Sequence, residues 1–147
     1  MSRLTRAQIN GAITNKIKAA FPKVKIHSTD VKEGFSRPSF FTMLETGVND
    51  SAMFSTYREM TCRILFFPSD RYVYKEEAYD VQDKLDVLFG LNFAVEDRTI
   101  TISNARSNII DGVLHFDFDF SFHDDAAEDP MDDDNTAKMR ELSISHE

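Results

Sequence analysis

His115, Asp117, Asp119 and His123 fall at alternate positions of VLHFDFDFSFH, so an extended strand would present all four on one face. Imidazole and carboxylate groups ligate divalent metals, and a small metal-dependent hydrolase is the chemistry such a row could support. Its spacing argues against that use. Neighbours on one strand face stand about 6.5–7 Å apart, so one ion could join two of them at most without ligands from other strands. The simpler reading is the wet side of an amphipathic strand. Cys62 is the single cysteine, so it can make neither an intramolecular disulfide nor a cysteine-based zinc site. With no histidine near it in sequence, it reads as a small core residue. Glu76, Glu77, Asp80, Asp83 and Asp86 recur at helical spacing as a solvated face. No phosphate-cradling glycine loop, nucleophile elbow or zinc-protease helix occurs in the sequence. Enzyme chemistry is not expected, and no catalytic, metal or cofactor residue is assigned.

The elements around these residues follow from periodicity. Ile9, Ile13, Ile17 and Phe21 recur at helical spacing after Thr5, a candidate N-cap, and Pro22 stops the run. Val24 and Ile26 mark a short strand, and Val31–Pro38 reads as a loop broken by Gly34 and Pro38. Ser39–Glu45 and Tyr57–Phe67 read as two strands of a hairpin. The small, polar stretch Thr46–Thr56 between them reads as a long mobile tip carrying Val48, Asn49, Asp50, Met53 and Phe54. Ala78, Val81, Leu85, Leu88 and Phe89 predict a second amphipathic helix with Gly90 as its C-terminal cap. Three strands follow, near Leu91–Val95, Thr99–Arg106 and Val113–His123, turning at Glu96-Asp97 and Asp111-Gly112. Leu114, Phe116, Phe118, Phe120 and Phe122 face one side of the last strand, which therefore lies on a core. The order α-β-β-β-α-β-β-β predicts an α+β fold: a largely antiparallel or mixed sheet of five to six strands, with both helices on its Phe-rich face.

The chain has 147 residues with 25 acids against 17 bases, a formal charge of −8. That length fits one domain with a real core, and 41% hydrophobic residues argue against wholesale disorder. No signal-peptide core or run long enough to span a bilayer occurs, so a soluble, intracellular protein with no membrane partner is expected. The acidity is uneven. Residues 124–147 hold nine acids and two bases, which predicts a disordered tail after a nearly neutral folded domain of residues 1–123. Within that tail, Met139, Leu142 and Ile144 could form a short helix on a partner. The front of the chain is basic, with Arg3, Arg6, Lys16, Lys18, Lys23, Lys25 and Lys32. Few aromatics accompany these bases and no recognition motif does, so no specific nucleic acid is expected. Placed against the acidic second helix of another copy, they would instead make a salt-sensitive subunit contact.

Three stretches in this order carry a resemblance: RPSFFTMLE at Arg37–Glu45, ILFFPS at Ile64–Ser69 and IIDGVLHFDFDFSF at Ile109–Phe122. They resemble the small phage tail terminator family of Gram-positive phages, prophages and phage-tail-like particles, over about residues 5–123. The Asp-Gly-Val-Leu-His segment is the most specific. The resemblance implies a structural protein without cofactor, acting as a homo-oligomeric ring, a hexamer in such families. Such a ring caps the tail tube, stops tube polymerisation and joins the head-completion or neck protein. It implies a place at the head-tail junction of the virion, after assembly in the host cytoplasm. Another tail-completion, neck or tube-like protein is the nearest alternative. Val48, Asn49, Asp50, Met53 and Phe54 of the tip, with Arg6, Lys16 and Lys18, are the candidate tube or subunit contacts. The acidic tail departs from the family pattern, which ends close to the last strand.

Overall fold

The computed structural model describes residues 3–27 and 35–125. The first helix, α1 (Arg6–Ala20), begins where Thr5 accepts the Gln8 N–H at 3.1 Å and the Gln8 side chain accepts the Thr5 N–H at 2.8 Å. It buries Ile9, Ile13 and Ile17 and ends at Phe21, before Pro22. Strand β1 (Lys25–His27) follows, then β2 (Ser39–Ser51), β3 (Ser55–Phe67), helix α2 (Lys75–Leu88), β4 (Asn92–Val95), β5 (Arg98–Ile110) and β6 (Val113–Asp125). This is the expected α+β order. The strands form one mixed sheet in the order β1-β2-β3-β6-β5-β4, with β1 parallel to β2 and every other pair antiparallel.

One face of that sheet makes the core. Register pairs Met60 with Phe120, Cys62 with Phe118, Ile64 with Phe116 and Phe66 with Leu114, and Phe40 lies beside Phe66. Ile9, Ile13 and Ile17 of α1 and Val81 and Leu85 of α2 belong to the same buried cluster. Rings meet rings throughout: Phe89 stacks on Phe118 at 5.0 Å, and Phe93 meets Phe120 edge-on at 5.2 Å. Each such side chain contributes about 1.5–3 kcal/mol when fully buried.

Several expectations change. Thr46–Thr56 is not a mobile tip: β2 runs to Ser51 and β3 starts at Ser55, with pairs from Thr46↔Met60 through Val48↔Glu59 to Ser51↔Thr56. A bulge at Gly47 shifts the register there, which hides the alternation that marks a strand. Gly90 does not cap α2 through a left-handed backbone. Glycine fits because a Cβ there would meet the Asp86 carbonyl oxygen at 2.6 Å. The Asp111-Gly112 turn does use left-handed angles, φ 53° and 75°, as a tight hairpin requires. The face expected to be wet carries its own aromatic group at one end, where Phe35 and Phe41 pack on Phe67 and His27 stacks on Phe41. The Val31–Gly34 part of the expected loop, Lys32 and residues 126–147 of the expected tail, with Met139, Leu142 and Ile144, lie outside the described residues.

The charge pattern of the sequence places Asp124 in the acidic tail. It instead lies near the end of β6, fully buried, and β6 runs two residues past His123. Its carboxylate accepts from Arg58 at 3.0 Å, from Arg98 at 2.8 Å and from the Leu4 N–H at 3.2 Å. Arg58, 2% exposed, also donates to the Leu4 carbonyl at 2.7 Å and lies over the Phe122 ring. The cluster thereby fixes the entry of α1 against the ends of β3, β5 and β6. Removing one partner strands the other charge in the interior. Asp124→Ala should therefore cost about 3–5 kcal/mol by urea denaturation, and Arg58→Met with Asp124→Leu markedly less. Equal losses for the two would show that the ion pair itself supplies the stability.

Candidate functional site

Two strands of equal length and a three-residue connection, Ala52–Phe54, build a hairpin arm at one end of the sheet, flanked by β6 up to the pair Ser55↔Asp125. The Ala52 N–H donates to the Ser55 carbonyl at 2.7 Å and closes the turn. Met53 is 76% exposed and Phe54 84%, so the arm ends in two large apolar side chains held out to solvent. Asn49 and Asp50 are exposed on β2, and Val48 is half-buried. The five hairpin residues named from sequence thus share one end of the sheet, on or beside the turn.

The three bases do not join them as one patch. Arg6 donates through Nε and Nη2 to the Thr46 hydroxyl at 3.1 and 3.0 Å, tying α1 to the arm just before the bulge. Lys16 is half-buried, its ammonium 5.9 Å from the Phe89 ring centroid, an attractive placement for a cation. Lys18 is exposed in the last turn of α1. Among the three, Arg6 positions the arm, Lys16 covers the core and Lys18 faces solvent.

The sheet face away from the core carries a row of cross-strand ion pairs. Arg63 bridges Glu45 at 2.9 Å and Asp117 at 2.8 Å. Asp119 accepts from the Thr61 hydroxyl at 2.7 Å and lies 3.4 Å from Arg106. The hydrogen bond and charge of Arg63 hold the Glu45 carboxyl below the ordinary carboxylate range, and Glu45 in turn raises the Arg63 guanidinium. At Asp119, partial burial pushes the carboxyl up, but the Thr61 hydrogen bond, Arg106 and Asn104 outweigh it and the net shift is downward. The Tyr57 hydroxyl donates to Glu59 at 2.6 Å, which raises the phenol.

Asp117 and Asp119 are therefore engaged by protein partners, while the His123 ring lies 5.0 Å from that of Tyr57. Among the described residues no three His, Cys, Asp or Glu side chains converge as a metal site would need. Burial raises the Cys62 thiol far above its ordinary value, with the Asp117 charge adding to the effect, so its reactive thiolate is suppressed. What the arrangement offers is surface: a paired hairpin with an apolar end, an ion-paired sheet face and two helices of opposite charge. Sequence reasoning missed the exposed apolar residues Tyr72, Val73, Tyr79, Val87 and Leu91. The signal for Tyr79 and Val87 was present, since both fall among the acids of the second helix rather than at its core positions.

The model of a family described as phage tail terminator protein matches residues 8–132, most of the chain. No curated protein matches it.

The ion-pair row predicts a pH signature. A depressed carboxyl contributes stability above its unfolded pKa and loses it as pH falls through the lower folded value. Arg63→Met should move the Glu45 titration midpoint up toward the ordinary carboxylate range by NMR. An unchanged midpoint would remove Arg63 as the cause.

Proposed function

The chain belongs to the phage tail terminator family, and from that membership we propose that it caps the finished tail tube as a closed ring of identical copies. It is a structural component of the phage tail, and membership implies a location in the virion tail. The match across residues 8–132 is the observation that carries the reading. A ring of six would occupy the surface on which the next tube ring adds, stop polymerisation there, and present its other side to the head-completion or neck protein. Folding and ring formation would take place in the host cytoplasm, before the virion is complete.

The arm supports this reading physically. Apolar side chains held at the end of a paired hairpin lose little further backbone entropy on docking, unlike a floppy loop that must be ordered first. Val48, Asn49, Asp50, Met53 and Phe54 are therefore the proposed contacts to the tube or to a neighbouring copy. Lys18 adds a charged contact, while Arg6 and Lys16 set the arm and core from which these project. No catalytic group or cofactor enters the scheme.

Mixing the protein with polymerising tube subunits tests the proposal by electron microscopy. Shorter tubes with density at one end are expected, and Phe54→Asp with Met53→Asp should weaken end binding about tenfold or more, because each exposed apolar anchor at an interface centre can be worth more than 1.4 kcal/mol. Unchanged lengths with bare ends would contradict termination and favour another tail-completion or neck role.

A further inference from the structure

A head-to-tail ring needs two different complementary surfaces on every copy, and the two helices carry surfaces of opposite charge. On α2, Glu76, Tyr79, Asp83, Asp86 and Val87 are exposed and form one strip at helical spacing. The opposite side of α2 is buried through Ala78, Val81 and Leu85. Lys84 lies off the strip, where it pairs with Asp80 at 3.0 Å and its ammonium reaches the Phe21 ring. Val87 is 86% exposed and Tyr79 53%, two apolar side chains set between acids. Apolar residues ringed by charge are the anatomy of an interface centre and its rim.

The complementary surface is the end of α1 and the strand after it. Lys18, Lys23 and Lys25 are all exposed, and the negative end of the α1 dipole favours cations in its last turn. β1 is one edge of the sheet, whereas α2 packs on β5 and β6 toward the other side. The two surfaces therefore belong to different elements and do not overlap, as a head-to-tail contact requires. We infer that the α2 strip of one copy docks on Lys18, Lys23 and Lys25 of the next copy of this chain, with Tyr79 and Val87 at the centre of the contact. The inference rests on the ring reading and supplies its subunit interface. It also narrows the basic front expected from sequence: Arg6 and Lys16 are engaged within the domain, whereas Lys18, Lys23 and Lys25 of that front are exposed.

Charge exchange in the full chain tests it. One variant carries Glu76→Lys, Asp83→Lys and Asp86→Lys; a second carries Lys18→Glu, Lys23→Glu and Lys25→Glu; a third carries all six. Assembly is read by crosslinking at low salt, with and without polymerised tubes, and thermal midpoints check folding. Each three-site variant should need about tenfold or more protein for half-assembly, because like charges now face each other. The six-site variant should recover assembly, which a misfolded parent would not do. High salt should weaken the wild-type oligomer. Three-site variants that assemble like the wild type, or a six-site variant that stays unassembled at an unchanged midpoint, would overturn the inference. So would variants that form normal oligomers yet no longer bind tubes, since the strip would then meet the tube. A wild-type chain that forms no oligomer in either condition would instead remove the ring reading, and this interface with it.

Discussion

The antiparallel register between β3 and β6 attaches every other element of the domain, directly or through its neighbours. It runs from Ser55↔Asp125 to Phe66↔Leu114, and β2 and β5 pair onto its two outer sides. A slip of one residue would carry Phe116, Phe118 and Phe120 to the ion-paired face and Asp117 and Asp119 into the core. Burial of the phenylalanines resists that slip, and so does the Arg58–Asp124 pair at the far end. Such a pair gains little net stability over an apolar replacement. Its role is positional, because the same guanidinium and carboxylate hold both backbone groups of Leu4 and so set where α1 begins. The start of the chain and the end of its last strand are thereby locked together.

The opposite face works with smaller energies. Pairs such as Arg63–Glu45 are exposed enough that water and salt screen each one. Their value lies in repetition across β2, β3 and β6, where each bridge agrees with the register imposed from the core. Agreement of the two faces keeps β2 and β3 paired past the bulge at Gly47 to their last pair, Ser51↔Thr56. The apolar end of the arm is thus presented by the same register that packs the core.

Much of this was legible because the core is periodic. Ile9, Ile13 and Ile17 mark α1, and the alternation from Leu114 to Phe122 marks β6 and its buried side. That alternation also held what was overlooked. Two steps beyond Phe120 lies Phe122 and two further lies Asp124; two steps before Met60 lies Arg58. Both charged residues therefore fall on the core side, and only their polarity disguised them. The hairpin was hidden for another reason. Its residues are small and polar, and the bulge at Gly47 breaks the period, so main-chain pairing decides the conformation where side-chain pattern does not. The bases of α1 share a helix in the sequence, yet Arg6, Lys16 and Lys18 meet three different environments.

The chain belongs to a family of structural tail proteins, and a paired hairpin with an apolar end is a surface such a protein can use. A closed ring differs from an open stack in one countable respect, since each surface in the ring is already filled by a neighbour. The number of copies bound at a tube end, measured by single-particle mass on purified tubes across a range of protein excess, tests termination by a ring most directly. One fixed copy number, unchanged by further protein, is the predicted result. A number that keeps rising with protein, or a single copy per end, would contradict it.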